Sequence, residues 1–354
     1  MTLTDEELGH LMETAQRLVE PVSGLSEILR THLDDTGAVL DYTTSRRPDA
    51  LSAACVDGAV ADHQTDSLVW LSAVGVAQTD GRPEHAVAGT AVAPVSGDTD
   101  RLRAALMATC ELSAATAWDD RMVFMDGGLA TPLISVAQGL TVTDPDVADS
   151  VERHYRDAHL LDVVHTYLDR LLDGRIAALP KQDTATGYIG QFATALRGSL
   201  SDQQRRALQR MRDRPLVGTL MWPGEMLRPR PAAELARTEA KAPEDNPATA
   251  ALDDAYGRLR AATGVHVAYF KPTRLPTRVI KIEYLESDTT SFSDGLALAA
   301  LLDAQTLGPR MKEPLMQHQV DQAAKRLVTA NLSTITGTAA RALEDQAATD
   351  HYRT

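Results

Sequence analysis

The sequence is poor in cysteine, with only Cys55 and Cys110 among its 354 residues. Two cysteines are too few for a disulfide framework or a cysteine-rich zinc site, so we expect both to be small buried hydrophobic residues. The chain also lacks any apolar run long enough to span a bilayer. Its first residues, MTLTDEELGHLMETAQRL, are acidic and amphipathic rather than of signal-peptide type. We therefore expect a soluble protein of the cytoplasm.

Aromatic residues are scarce as well, and basic residues are fewer than acidic ones. Aromatics make up 4% of the chain, so a core must be built from aliphatic residues, and the hydrophobic fraction of 44% suffices for one large domain or two ordinary ones. The 35 basic residues are outnumbered by 49 acidic ones, which gives a formal net charge of −14. This charge argues against a nucleic-acid coat protein and against a cationic membrane binder. A local basic groove is still compatible with it, and the arginines of 205–214 are either such a phosphate contact or a solvated or intersubunit face.

Hydrophobic periodicity predicts an α/β chain in three segments. We expect an N-terminal helical segment over 1–48, one large domain over 49–335 and a polar helical tail over 336–354, with 228–253 as an exposed insertion rich in Pro, Ala and charge. The predicted strands are 52–57, 67–77, 85–95, an apolar run that ends at Asp126, 175–181, 216–222, 265–271 and 278–286. The predicted helices are 4–32, 100–117, 148–174, 201–213, 291–307 and 314–330.

Three acidic residues stand at unusual places in this pattern. Asp57 in AACVDGA and Asp126 in RMVFMDGG each follow an apolar run and precede glycine, and Glu111 lies within the apolar helical stretch LMATCELSA. Taken singly, the two aspartates are explained as turn residues and the glutamate as an exposed helix position. Taken together, they follow the order of three strands, a helix and a fourth strand that opens a ribonuclease-H-like sheet.

In that architecture, carboxylates from the first strand, the first helix and the fourth strand converge on divalent metal. Two such ions must be held by oxygen ligands from separate segments, so that one activates water and the other stabilises the leaving oxygen of a phosphodiester. The sequence therefore predicts a ribonuclease-H-like mixed β-sheet flanked by helices, with helical additions at both ends. It also predicts a site for two Mn²⁺ or Mg²⁺ ions at Asp57, Glu111 and Asp126.

The chain resembles the NurA nucleases over most of residues 50–330. The resemblance rests on CVDGAVAD, the helix that carries Glu111, VFMDGGLATPLI, ALPKQDTATGYIG and RVIKIEYLES, in this order. It implies a homodimer with a central channel that cleaves DNA with manganese or magnesium, as a 5′-to-3′ exonuclease and single-strand endonuclease. It also implies a partnership with the hexameric HerA translocase in DNA end processing, in either repair or anti-phage defence.

The same resemblance places further residues in the site. The family's metal-binding acids fall on Asp57, Glu111 and Asp126, and Lys181 corresponds to a cation that holds the scissile phosphate, although a solvated strand end is an equal alternative. The family has a Tyr-Pro segment that ends in a histidine, and the matching region here is GPRMKEPLMQHQVDQA, in which the tyrosine is absent.

His318 is our candidate for that C-terminal position, as a proton shuttle to the leaving oxygen, with Asp321 and Gln319 as rivals. Glu283, on the strand 278–286, can reach the metals or can lie on an exposed sheet face, and we favour the exposed face. The altered C-terminal motif and the acidic charge also leave room for another class of protein. This is a catalytically weak adaptor subunit that keeps the fold and serves the translocase.

Overall fold

The computed structural model describes residues 24–45, 53–79, 82–118, 121–181, 185–231, 247–261, 265–274, 278–286, 295–308 and 313–351. The strands in these ranges are β1 (Val39–Asp41), β2 (Ala53–Gln64), β3 (Leu68–Thr79), β4 (Arg82–Pro94), β5 (Met122–Met125), β6 (Ile176–Ala178), β7 (Glu225–Leu227), β8 (Arg230–Pro231), β9 (Val265–Phe270) and β10 (Ile280–Leu285). The helices are α1 (Leu25–Asp35), α2 (Thr99–Ala115), α3 (Thr131–Gly139), α4 (Pro145–Asp157), α5 (Leu160–Leu172), α6 (Gly187–Ala195), α7 (Asp202–Gln209), α8 (Asp213–Leu220), α9 (Pro247–Ala261), α10 (Gly295–Ala304) and α11 (Leu315–His351).

The strands form one mixed sheet in the order β1-β7-β9-β10-β6-β5-β2-β3-β4, and β8 pairs with β9. The pairs β2–β5 and β5–β6 are parallel, whereas β2–β3, β3–β4 and the strands beyond β6 pair antiparallel. Parallel strands need helical crossovers, which cover both faces of the sheet. The predicted opening of three strands, a helix and a fourth strand is confirmed by β2, β3, β4, α2 and β5.

Alternate residues of the central strands pack into two cores, one on each face of the sheet. On β5, Val123 and Met125 join a core built with α2, α3 and α5, while Phe124 joins a second core built with α10 and α11. A period of two with both sets buried is expected for a strand covered on both sides. On α2, the helix comes so close to β3 that a Cβ at Gly75 would collide with the backbone oxygen of Cys110. The mixed α/β architecture predicted from the sequence is confirmed.

Several predicted boundaries were wrong. Residues 216–222 are not a strand, because they lie mostly in α8, where Leu216, Val217 and Leu220 are buried at helical spacing. A short apolar run fits either period, so its sequence could not separate the two. The predicted helix 148–174 is two helices, α4 and α5, separated at His159, whose φ is 49°. The strand predicted over 52–57 continues to Gln64, which puts Asp57 inside it rather than at its end.

The remaining predictions match in part. Residues 4–23 of the predicted first helix and residues 232–246 of the predicted insertion lie outside the described residues; α1 covers 25–35 and α9 begins at Pro247. The predicted helix 314–330 and the tail after it form one helix, α11. The division of the chain into three segments stays a prediction. None of the helices that the structure describes combines the length and the apolar character needed to cross a membrane.

Candidate metal centre

Three aspartates from distant parts of the chain meet at one edge of the central strands. Asp57 lies within β2, Asp126 follows β5 directly, and Asp321 lies on α11. One carboxylate oxygen from each can be chosen so that all three lie within 4.8 Å of one another. Asp57 and Asp126 are brought together because β2 and β5 are neighbouring parallel strands, and the backbone N–H of Asp126 donates to the carbonyl of Val56 over 2.9 Å. We refer to these three residues as the aspartate cluster.

The aspartate cluster is the kind of site that binds a hard divalent cation. Carboxylate oxygens are the ligands that Mg²⁺ and Mn²⁺ prefer, and three from separate segments can surround an ion as one turn cannot. The carboxylates of this site also affect one another's protonation. Burial, followed by the charges of Asp126 and Glu111, raises the pKa of Asp57 to about 9, while Lys181 opposes the shift. The residues present therefore fit Mn²⁺ or Mg²⁺.

Glu111 approaches this edge from the other face of the sheet. It lies on α2, is 7% exposed, and packs so closely on β2 that a Cβ at Gly58 would be 2.5 Å from its Cγ. It is therefore a buried group and not the exposed helix position weighed above. Burial, followed by the charge of Asp126, raises the pKa of Glu111 to about 8. Among the described residues, the group of three mutually close acids does not include Glu111, because strand alternation points Asp57 and Gly58 to opposite faces.

Lys181 is a counter-ion of the site. Its Nζ lies 2.5 Å from Asp126 Oδ2, 3.3 Å from Glu313 Oε2 and 3.7 Å from Asp321 Oδ1. Burial alone would lower the pKa of this lysine, but its hydrogen bond to Asp126 and the surrounding acids outweigh burial and raise it. The solvated strand end weighed above is therefore not what the structure shows, although the side chain is 40% exposed.

The C-terminal residue that reaches the site is Asp321, one of the two rivals to His318. The His318 ring lies 3.4 Å from Glu313, and its side chain is 53% exposed and outside the aspartate cluster. The sequence analysis missed Gln317, a residue 3% exposed whose amide donates to Asp126 Oδ1 over 2.7 Å and to the Leu179 carbonyl over 3.2 Å. Gln317 and Asp321 are one helical turn apart and so share a face, which is the signal that could have found both.

Glu283 is buried, so the exposed sheet face favoured above is wrong. Its carboxylate is 2.9 Å from Lys281 Nζ and accepts a hydrogen bond of 3.0 Å from the backbone N–H of Leu129. The hydroxyl of Tyr167 donates to the carbonyl of the same leucine over 2.8 Å. Both contacts fix the turn that follows Asp126. The sequence pattern put Glu283 on the same face as Lys281 but could not show that helices cover that face.

The predicted basic segment 205–214 does not form one helix, because α7 ends at Gln209 and α8 begins at Asp213. Within it, Arg214 donates to the backbone carbonyls of Pro180 and Lys181 and so holds the segment that carries the lysine. The two cysteines are buried, as predicted.

The mixed sheet, its helices on both faces and the carboxylates at the ends of neighbouring strands define the class, a ribonuclease-H-like α/β protein with a candidate divalent-cation site. Within that class, the chain has the fold of the NurA nucleases. It superposes on the NurA nuclease from Sulfolobus solfataricus with a TM-score of 0.57 and 10% identity, covering 95% of this chain and 97% of the other. It superposes on NurA bound to dAMP and manganese with a TM-score of 0.52 and 11% identity, covering 88% and 93%. The likeness is confined to the fold, since no protein-family model and no curated protein matches the sequence.

Proposed function

We propose that this chain is a cytoplasmic, metal-dependent DNA nuclease. The observation that carries the proposal is the convergence of Asp57, Asp126 and Asp321, whose oxygens come within 4.8 Å of one another. Structures with the same fold support it, because one is a nuclease and another contains manganese. A fold alone does not imply a function, so the proposal depends on the site.

In this proposal the three aspartates hold the cation, and Gln317 fixes Asp126 by donating to its Oδ1. A divalent ion held by these aspartates would lower the pKa of a water and act as a Lewis acid toward the leaving oxygen. Lys181 contacts a non-bridging oxygen of the scissile phosphate, because its ammonium lies beside Asp126 and its side chain is partly exposed. Glu111 completes the site from the α2 side. We assign the C-terminal position to Asp321 rather than to His318.

The finer features follow from the resemblance to NurA. We propose that the chain acts as a single-strand endonuclease and a 5′-to-3′ exonuclease, forms a homodimer, and works with a HerA-type hexameric translocase in repair or defence. A protein of net charge −14 repels DNA, so delivery by a translocase would replace slow diffusional capture.

The test is manganese-dependent degradation of linear DNA by the purified full chain. We expect cleavage by the wild type, its abolition by Asp126→Asn, and unchanged cleavage by the control Asp149→Asn, an exposed aspartate on α4. If the wild type degrades no DNA with Mn²⁺ or Mg²⁺, whether alone or with the translocase and ATP, the adaptor alternative stands. Full activity of Asp126→Asn would refute the assignment of the site.

A further inference from the structure

A cleft of about 670 Å³ opens directly beside the aspartate cluster. Lys181, Glu313 and Gln317 line it as well as the site, so the two are continuous. A volume of this size suits one small organic ligand or one nucleotide of a longer strand. The cleft therefore lies where a substrate bound at the cluster would extend.

The walls of the cleft have two kinds of surface. The larger part is apolar and comes from residues of four segments, namely Leu179, Pro180, Pro215, Val279, Ile280 and Pro314. Apolar walls can bury the face of a base or sugar without hydrogen bonds that select among bases. The remaining wall includes the cations Lys181, Arg214 and Arg278, against the single acid Glu313. In a chain of net charge −14, a cleft with more cations than acids is suited to an anionic ligand.

The three cations have different tasks. Lys181 is held by Asp126 and Glu313, and Arg214 donates to the carbonyls of Pro180 and Lys181. Arg278 also lines the cleft, just before β10, and is exposed. A guanidinium matches the geometry of phosphate oxygens, and contacts to phosphate position a strand without reading its sequence.

We propose that this cleft binds the nucleotide adjacent to the scissile phosphate, with Arg278 contacting the phosphate of that nucleotide and the apolar walls contacting its base and sugar. The proposal rests on the proposed nuclease function and adds to it a second binding position along the strand. It makes Arg278 a binding residue that acts apart from the aspartate cluster. Arg214 is a positioning residue, because it holds the backbone of Lys181.

The experiment compares Arg278→Gln with Arg278→Lys and with the control Arg153→Gln. Arg153 is an exposed arginine on α4, which packs against β4 at the far edge of the sheet, so the control removes the same charge elsewhere. Binding of a fluorescein-labelled oligothymidylate is measured by anisotropy without metal over a range of salt concentrations. Cleavage of the same oligonucleotide is then measured with Mn²⁺.

We expect Arg278→Gln to weaken binding and to raise KM about 10-fold, with kcat changed less than about threefold. The dependence of log Kd on log salt should fall by about 0.7 in Arg278→Gln, the loss of one phosphate contact on a single strand. Arg278→Lys should restore most of the affinity, and Arg153→Gln should match the wild type. The subsite is refuted if Arg278→Gln and Arg153→Gln have the same affinity and the same salt dependence.

The two proposals fail in distinguishable ways. If the wild type binds the oligonucleotide in an Arg278-dependent manner but cleaves nothing with Mn²⁺, the nuclease function is wrong, and the cleft is a nucleic-acid binding site in a protein that is not a nuclease. If the wild type cleaves and Arg278→Gln is unchanged in both assays, the nuclease function survives and the subsite is wrong. Deoxythymidine monophosphate serves as a competitor in the binding assay. If the free nucleotide displaces the oligonucleotide but Arg278→Gln does not change the affinity for the oligonucleotide, the subsite is also refuted.

Discussion

Replacing Lys181 by methionine should make the aspartate cluster bind Mn²⁺ more tightly. The ammonium lies 2.5 Å from Asp126 Oδ2 and within 4 Å of Glu313 and Asp321, so it occupies the electrostatic position of a cation. An incoming divalent ion competes with it for the same oxygens. Methionine has a similar length and no charge, and therefore removes the competitor while filling the same space.

The magnitude follows from the distances and the exposure. Two unit charges about 4 Å apart attract by about 4 kcal/mol at an effective dielectric constant of about 20. The Lys181 side chain is 40% exposed, and screening reduces such pairs to about 1 kcal/mol. Because Lys181 faces three acids, we take about 1.4 kcal/mol, which corresponds to Mn²⁺ binding about 10-fold tighter.

Isothermal titration calorimetry with MnCl₂ at fixed pH and ionic strength measures this directly. The control is Lys325→Met, because Lys325 pairs with Asp321 over 2.8 Å but is 63% exposed. It removes the same charge, and we expect an effect of no more than about threefold. If Lys181→Met binds Mn²⁺ no more tightly than Lys325→Met, the competition argument is wrong. The tighter binding should come with slower cleavage, since the lysine is also assigned to the phosphate.

The remaining predictions concern stability and pH. Asp57 has a pKa of about 9 in the folded chain against 3.8 for an ordinary aspartate, so its contribution to the stability of the metal-free protein is present at low pH and is lost as the pH rises from about 4 to about 9. At about 1.4 kcal/mol per pH unit, about 4 kcal/mol of stability is lost by pH 7. Urea denaturation should show that Asp57→Asn weakens this pH dependence and leaves the part due to the raised pKa of Glu111, while Mn²⁺ offsets the loss. Gly75→Ala should cost more than Gly58→Ala in the same assay, because the new methyl meets a helix backbone in one case and the Glu111 side chain in the other; equal costs would contradict this. Glu283→Gln should keep the fold but lower Mn²⁺ affinity, since the turn after Asp126 loses a charged acceptor, and unchanged affinity by calorimetry would refute that role.

The elements around β2 and β5 could be predicted because their signals are local. Asp57 and Asp126 end or interrupt long apolar runs, and Glu111 is an acid in an otherwise apolar helix, so each is visible in a short window of sequence. The order of the elements then placed Asp57 and Asp126 on neighbouring parallel strands, whereas Glu111 approaches from the other face of the sheet. The resemblance to NurA pointed to the same three residues independently, and the fold that it implied is confirmed.

The C-terminal part of the site could not be predicted in the same way. Gln317 and His318 are neighbouring polar residues on α11, and only one of them can face the sheet. Which one does so depends on how α11 packs against β2 and β3. A shift of one residue rotates a side chain by about 100° around the helix. The burial of Glu283 could not be predicted for a related reason. Strand alternation assigns residues to two faces of a sheet but does not say which face a helix covers.

The aspartate cluster draws its members from positions 57, 126 and 321 of the chain. A chain that has been synthesised only through β5 can already pair β2 with β5, but it cannot hold a cation with all three carboxylates until α11 has been made and has docked. Contacts between such distant positions form late, because the loop between them must first be ordered. A ribosome-bound chain of this protein is therefore without its complete metal site for most of its synthesis, and any hydrolytic activity begins with the finished molecule.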